Sequence, residues 1–558
     1  MNNNSTRETD TQEEISLGLL PIQNRLTAER QQENDLRKEV EKIGRLDAEE
    51  SLEVALERFL SAPHKSHEQS TLIALQAKIK ALTNEKEDNR RLSLVLSSLH
   101  RNEQGDAELF LHIHKGKYLF DTTEGRLGEF YVWNNTHWQL DSEKRRYLDI
   151  KEVAAEYEWA STLLAEVNLK QNLLKRASLL RSARRCSGVF VFMAAEVPFR
   201  GEWDNCPGML PCKNGIVCLK TGELLKHSPE NHLRHVCPTN YNPNAESPLW
   251  DQFLSDITCR NLELAAFLGR VFGSALVGDA KEEKILYLYG ENGRNGKGTL
   301  IQTLEKVLGK WARTFPSEML LMQRNPPSSS NASPDLAGLQ GVRFAFFSEI
   351  NKGRKIDASK VKNLSGRDTV STRRLYSNTD LQIRPCHTMF IQTNFKPEAP
   401  ADDNALWRRN ILIPFKAEFV EQPTSPNQKK IDPQLKEKLP CEAEGILAWL
   451  VEACLSYQEH GLSTPPLVVE ETEKYREEND GVSAFIKERC VTGTEVSCPA
   501  NRVREELQAF CMESGFNKPN EREIPAALRA KGFKQKKTVT GLVWEGLGIP
   551  PRMQNSKY

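Results

Sequence analysis

Between residues 22 and 98 the apolar positions are sparse and fall near helical spacing. Leu72, Ile73, Leu75, Ile79 and Leu82 sit among Glu, Lys, Arg and Gln, with little Gly or Pro. That pattern predicts helices and is compatible with a short coiled coil. Near residue 100 it changes. FLHIHKGKYLFDTTEGRLGEFYVWNNTHWQLD (110–141) is aromatic and β-prone, with N-N and E-G turn signals, and predicts a small sheet. Residues 150–185 return to a helical pattern that ends in the basic stretch NLKQNLLKRASLLRSARR. LPCKNGIVCLKTGELLKHSPENHL (210–233) then reads as strand, K-T-G turn, strand, and the prolines around 238–248 mark a linker.

From 249 to about 418, short apolar runs alternate with helical patterns, as in an α/β domain built on a parallel sheet. KILYLYG is a strand, GENGRNGKGT a loop, and LIQTLEKVLG a helix closed by Gly309. GVRFAFFSEI and CHTMFIQTNF are further strands, and ALWRRNILIPF ends in another. The Pro/Ser-rich FPSEMLLMQRNPPSSSNASPD reads as mobile. A helical segment covers about 432–460. After it comes a terminal region of short helices ending in KGFKQKKTVTGLVWEGL, which reads as a two-stranded wing.

Length and charge refine this division. At roughly 100–200 residues per domain, 558 residues suggest about three or four domains. The expected boundaries are a helical arm over 1–98, polar and disordered through residue 15, and an α+β domain over 99–248. An ATPase-like core over 249–420, a helical segment over 421–479 and a winged-helix-like domain with a polar tail over 480–558 follow. Net charge is zero, so there is no global case for nucleic-acid binding, but the charge is uneven. Residues 1–60 hold 14 acidic and 8 basic residues, whereas 352–384 hold 9 basic and 3 acidic, and 518–537 hold 7 and 2. The N-terminus has neither the basic region nor the apolar core of a signal peptide. No run approaches the ~18 apolar residues of a membrane span. Twelve cysteines without paired short spacings fit free thiols in a reducing compartment, so a cytoplasmic location is expected.

The loop carries the chemistry. A strand, a glycine-rich loop and a helix place backbone N–H groups and a helix N-terminus against phosphate oxygens. Gly290, Glu291, Asn292, Gly293, Arg294, Asn295, Gly296, Lys297, Gly298 and Thr299 form that loop. It departs from the usual G-x-x-x-x-G-K-[ST] pattern twice: Gly290 is one residue early, and Gly298 stands where a hydroxyl normally faces the metal. Lys297 supplies the phosphate-binding charge, and Thr299 is the nearest remaining hydroxyl. Glu349 ends an apolar strand where a carboxylate can polarise water or help hold a metal. Asn394 ends another, and Arg408 and Arg409 precede a third. Taken singly, these last residues read equally well as strand-end and surface groups.

In this order, over about 125 residues, the motifs resemble the superfamily III helicases of phages, satellites, plasmids and large DNA viruses, and especially the helicase part of phage and poxviral primase–helicases. GENGRNGKGTL is similar to that family's phosphate loop, PDLAGLQGVRFAFFSEIN to its motif B region and VKNLSGRDTVSTRRLY to its basic segment. IQTNFKP is similar to its sensor strand and DNALWRRNILIPF to its arginine-finger motif. Upstream, GDAELF, WNNTHW and KNGIVCLKTGEL resemble the domain that precedes the helicase.

The resemblance implies an AAA+-like parallel-sheet core that binds ATP and Mg2+ and acts as a hexameric ring on single-stranded and forked DNA. Lys297 and its loop would bind phosphates, with Glu349 as acid, Asn394 as sensor and Arg408 or Arg409 as a finger reaching the neighbouring subunit. Thr299 and Glu349 would lie beside the metal. Lys362, Arg367, Arg373 and Arg374 would be the DNA-contacting set. The alternative is a nucleotide-dependent DNA-binding, origin-recognition or scaffolding ring with weak or no hydrolysis, favoured by Gly298. Only about 100 residues precede the resemblance, too few and too helical for a primase domain, so no primer synthesis is expected of this chain. The acidic arm is open to two readings: a solvated helix, or a docking element for a separate primase, an initiator or another copy.

Lys534, Lys536 and Lys537 make the wing basic, as in winged-helix modules that bind duplex, although a plain charged surface has the same pattern. Cys206, Cys212, Cys218 and Cys237 lie near His227, His232 and His235 but lack C-x₂₋₄-C spacing. They are expected to be strand and core residues rather than zinc ligands.

Overall fold

A computed structural model describes residues 5–41, 51–52, 54–55, 66–125, 127–323, 333–373, 380–516, 519–539 and 541–550. The chain forms two compact units. One comprises Met1–Thr122, Leu127–Trp133 and Gln139–Arg200; the other comprises Thr123–Arg126, Asn134–Trp138 and Gly201–Tyr558.

The first unit begins with two long helices, Ser5–Glu41 and Ser66–His100. They run antiparallel: Lys78 pairs with Glu39, Lys86 with Glu33, and Asn89 donates to Glu29. Leu36 and Val40 bury against Leu75, Ile79 and Leu82, the positions whose spacing predicts a helix. The first helix starts at Ser5, within the polar segment for which the sequence predicts disorder.

Helices Asn102–Ile113, Arg146–Leu163, Val167–Leu179 and Ala183–Glu196 pack with a sheet of order β1 (Tyr118–Asp121), β2 (Glu129–Trp133) and β3 (Trp138–Leu140). Residues 110–113 finish a helix instead of opening the sheet, because a short apolar run has no period of its own and continues the preceding turn. Arg176 and Arg185 do not form basic surface: both pair with the buried Asp106, which also accepts from the Tyr157 hydroxyl.

In the second unit, β4 (Met209–Cys212), β5 (Gly215–Cys218) and β6 (Glu223–Leu225) form an antiparallel sheet, so Cys212 and Cys218 are strand residues as the sequence predicts. Its main sheet has five parallel strands: β7 (Ile285–Tyr289), β8 (Ala312–Phe315), β9 (Phe344–Phe347), β12 (Thr388–Thr393) and β13 (Asn410–Pro414), in the order β13-β7-β12-β9-β8. A hairpin of β10 (Val370–Arg373) and β11 (Asp380–Ile383) is inserted before β12. The strands read as continuous apolar runs because helices cover both faces. Leu286, Leu288, Phe344, Phe346 and Phe390 face one core with helices Pro248–Ile257, Leu262–Val277, Lys297–Leu308 and Ala443–His460. Ile285, Tyr287, Phe347, Met389, Ile391 and Leu412 face the other.

β8 has no counterpart among the strands expected from sequence. It is an edge strand whose Arg313 and Thr314 are exposed, so it lacks an apolar run. The opposite edge is covered: the Leu412 amide donates to Thr472 on helix Pro466–Glu478. β14 (Glu418–Val420) and β15 (Gln428–Lys430) follow as a short parallel pair.

The C-terminal part contains helix Gly481–Arg489, β16 (Val491–Pro499), helices Ala500–Glu513 and Glu523–Ala530, β17 (Lys534–Thr538) and β18 (Gly541–Gly548). Its sheet has the order β16-β18-β17. No helix among the described residues is long and apolar enough to cross a membrane. All twelve cysteines are free, and no cluster of three or more His, Cys, Asp or Glu among the described residues could hold a metal.

Candidate active site

The loop between β7 and helix Lys297–Leu308 is fixed by its own sequence. Gly293, Arg294 and Gly296 have φ of +68°, +47° and +84°, which turn the chain back so that the helix starts at Lys297. A Cβ on Gly296 would lie 2.5 Å from Ile257 Cγ2. A Cβ on Gly290 would collide with the Asn295 carboxamide and the Lys297 ammonium, so a larger residue at that early position would displace the groups that hold the lysine. Asn295 braces the loop: its Nδ2 donates to the Ala417 carbonyl at 2.8 Å, and the Phe419 amide donates to the Arg294 carbonyl.

Lys297 is 4 % exposed. Its Nζ donates to Gly290 O (3.1 Å), Asn295 Oδ1 (2.9 Å) and Asn394 Oδ1 (2.9 Å). All three ammonium protons therefore go to neutral oxygens, and the lysine forms no salt bridge among the described residues. Burial pushes its pKa down to about 8, with Glu349 pulling the other way. Asn394 lies one residue beyond β12 and Glu349 two beyond β9, and the Asn394 Nδ2 donates to Glu349 Oε1. Parallel neighbouring strands bring all three residues to the C-terminal end of the sheet, with Asn394 bridging cation and carboxylate.

A cleft of about 380 Å³ opens over the loop, lined by Gly293–Thr299, Gln392, Asn394, Phe253, Phe419 and the 431–436 segment. Gly290, Glu291 and Asn292 do not line it; Glu291 and Asn292 are exposed. Position 298 is open, since a Cβ there meets nothing closer than Gln392 Nε2 at 3.9 Å. Thr299 is half-buried on the cleft wall. Ser348, beside the acid, accepts from the Ser317 amide. Gln392 lies within the sensor-strand motif but is not among the residues expected from it, and Phe419 has no sequence motif; both enter the site because β12 and β14 lie beside the loop.

The two arginines separate. Arg409 pairs with Glu283 at 2.6 Å and donates to the Ala405 carbonyl. Arg408 is exposed, and its one side-chain hydrogen bond among the described residues is from Nε to Asn404 O at 3.3 Å. The basic set separates too. Lys362, on helix Ala358–Ser365, pairs with Asp403 at 2.8 Å and does not join the hairpin. Arg367 is exposed, Arg373 is exposed at the end of β10 opposite Asp380, and Arg374 lies outside the described residues. Lys534, Lys536 and Lys537 are exposed on β17, with Lys536 paired to Glu545.

Two family profiles match the chain: D5 N terminal like over residues 107–259, and a family of unknown function (DUF5906) over 288–409. The chain is 31% identical over 410 residues to the protein named "Putative helicase L207/L206" of Acanthamoeba polyphaga mimivirus, covering 67% of this chain and 42% of that protein. It is 32% identical over 234 residues to "Putative helicase 022R" of Frog virus 3 (isolate Goorha), covering 40% and 24%. It is 26% identical over 318 residues to "Putative primase C962R" of African swine fever virus, covering 54% and 32%. The chain thus spans less than half the length of each of these relatives. Among solved structures, the NrS-1 C-terminal region (305–718) aligns with a TM-score of 0.43 at 11% identity, covering 79% of this chain and 99% of that one. With the loop, acid and sensor strands in order inside the second matched segment and the D5-type segment preceding them, this chain carries the superfamily III helicase region of a D5-type primase–helicase.

Proposed function

We propose that the chain is an ATP-dependent DNA helicase that works as a ring on single-stranded and forked DNA during replication of a mobile or viral element. One observation carries the reading: Lys297 is buried without an anionic partner among the described residues, lines a cleft, and is tied through Asn394 to Glu349. Strand order supports it. Numbered from the loop strand, the sheet runs 5-1-4-3-2, with the acid after strand 3 and the sensor after strand 4, so that strand 4 and its sensor lie between the loop strand and the acid.

In this reading the phosphates of ATP enter at the helix N-terminus and replace one of the neutral oxygens on Lys297. The Asn394 carboxamide is then free to orient the attacking water, and Glu349 accepts its hydrogen bond and polarises it. Arg408 reaches the site of the neighbouring subunit, while Arg409 stays bound to Glu283 of its own chain. Arg367 and Arg373 meet the DNA backbone, and the basic wing meets duplex. The donor set fits magnesium, which takes hard oxygen ligands and few from protein. Thr299 and Glu349 would hold it, and it would supply charge neutralisation between phosphates.

Strand displacement on forked DNA with ATP and Mg2+ tests the proposal, with Glu349→Gln as control. Unwinding is expected in the wild type and is lost in the variant, by about 10²-fold or more in hydrolysis, with nucleotide binding retained. The open position at Gly298 favours a second reading, a nucleotide-dependent DNA-binding ring without hydrolysis. DNA binding that responds to ATP without phosphate release would select it.

A further inference from the structure

Lys362 belongs by sequence to the basic segment, yet its ammonium points at a carboxylate, not toward the hairpin. Asp403 Oδ2 takes Lys362 Nζ at 2.8 Å, while Asp403 Oδ1 accepts the Leu406 amide and so caps the helical turn Asn404–Trp407. That turn delivers Arg408, whose own amide donates to the Asn404 carbonyl. The rest of the turn is anchored to the body of the domain. Arg476 holds the Asn404 side chain and the Ala401 carbonyl, Trp407 Nε1 donates to Pro400 O, and Arg409 holds Glu283.

At its other end, Lys362 sits on a helix whose Val361 and Leu364 are buried in the core and whose C-terminus runs through Gly366 and Arg367 into β10. One ion pair therefore joins the segment leading into the basic hairpin to the cap of the arginine turn. The pair is partly shielded, with Lys362 and Asp403 side chains 33% and 21% exposed.

We propose that Lys362 and Asp403 are positioning residues that transmit occupancy of the basic hairpin to the Arg408 turn, so that DNA on the hairpin sets how well Arg408 serves the adjoining nucleotide site. This rests on the proposed ATPase reading. Lys362 is then not a DNA ligand, and its effect passes through Asp403.

The test compares Lys362→Met, Asp403→Asn and Lys362→Arg with wild type in ATP hydrolysis with and without oligo-dT, and in oligo-dT binding by anisotropy. Asparagine also caps helices, so Asp403→Asn removes the charge pair and spares the turn. The ratio of DNA-stimulated to DNA-free kcat is expected to fall about tenfold in Lys362→Met and in Asp403→Asn, and to be retained in Lys362→Arg. KM for ATP and oligo-dT affinity are expected to hold within about twofold in all three. An unchanged ratio in Lys362→Met overturns the proposal. So does a loss of oligo-dT affinity in Lys362→Met that Asp403→Asn does not share, which would make Lys362 a phosphate ligand. If hydrolysis survives in Lys297→Ala, the nucleotide-site reading fails instead, and this inference falls with it.

Discussion

Two regions of the molecule bury cations in opposite ways. In the first unit Arg176 and Arg185 close on Asp106, whose side chain is fully buried and also takes the Tyr157 hydroxyl. In the second, Lys297 is equally buried but is held by a carbonyl and two carboxamide oxygens. A buried cation with its carboxylate is a finished structure, because charge and hydrogen-bond demand are both met. A buried cation held only by dipoles retains a net charge that a phosphate can answer. Arg343 shows that dipoles alone do not make a site. It donates to the carbonyls of Leu276, Cys206 and Met209 and packs over Trp311, but it is buried and does not line the cleft over the loop. Lys297 has both the unanswered charge and the opening.

The contrast is tested most strongly by removing the cation or the anion. Lys297→Met is expected to lower DNA-stimulated phosphate release by about 10²–10³-fold. The melting temperature of the nucleotide-free protein should stay the same or rise, since a desolvated charge is removed. A large drop in melting temperature would make Lys297 structural, like Arg176. Asp106→Ala is expected to do the reverse, destabilising its unit by about 3–5 kcal/mol because the buried Arg176 loses its anion and Arg185 keeps only Glu103. Denaturant unfolding of the full chain measures this, and a shift under about 1 kcal/mol would remove the distinction.

A smaller effect comes from pH. The Lys297 pKa is depressed to about 8, against about 10.4 in an unfolded chain. The unfolded state thus binds more protons between those values, and the nucleotide-free protein gains stability as pH rises through that window. Phosphate favours the ammonium form, so ADP affinity should weaken above pH 8, by up to about tenfold for the first unit. Titration of ADP binding from pH 7 to 9.5 reads this directly, and a flat profile would mean that the charge is not what the phosphate meets. The smallest change is expected from Gly298→Ser. The open position accepts the side chain, so hydrolysis should stay within about threefold of wild type while less Mg2+ is needed for half-maximal rate. A rise in that requirement would exclude the cleft wall at 298 from the metal's surroundings.

The sequence shows most where chemistry is local. Buried parallel strands appear as apolar runs, so β7, β9, β12 and β13 and the polar residues just past their ends stand out along the chain. The glycines of the loop are legible because a positive φ or a close approach leaves few alternatives. β8 is not legible, since an edge strand with two exposed residues in four carries no period. Nor is the helical end at 110–113, where a short apolar run suits either element.

The sequence by itself determined an α/β domain with a glycine-rich strand–helix loop, a strand-end acid and a strand-end amide in order. Only the tertiary structure decided which charges are already answered. Arg409 is bound by a glutamate 126 positions away, Lys362 by an aspartate 41 positions away, and Asn295 by a carbonyl 122 positions away. A basic residue looks the same along the chain whether it is paired or free, because pairing is set by which distant backbone the folded sheet brings alongside it.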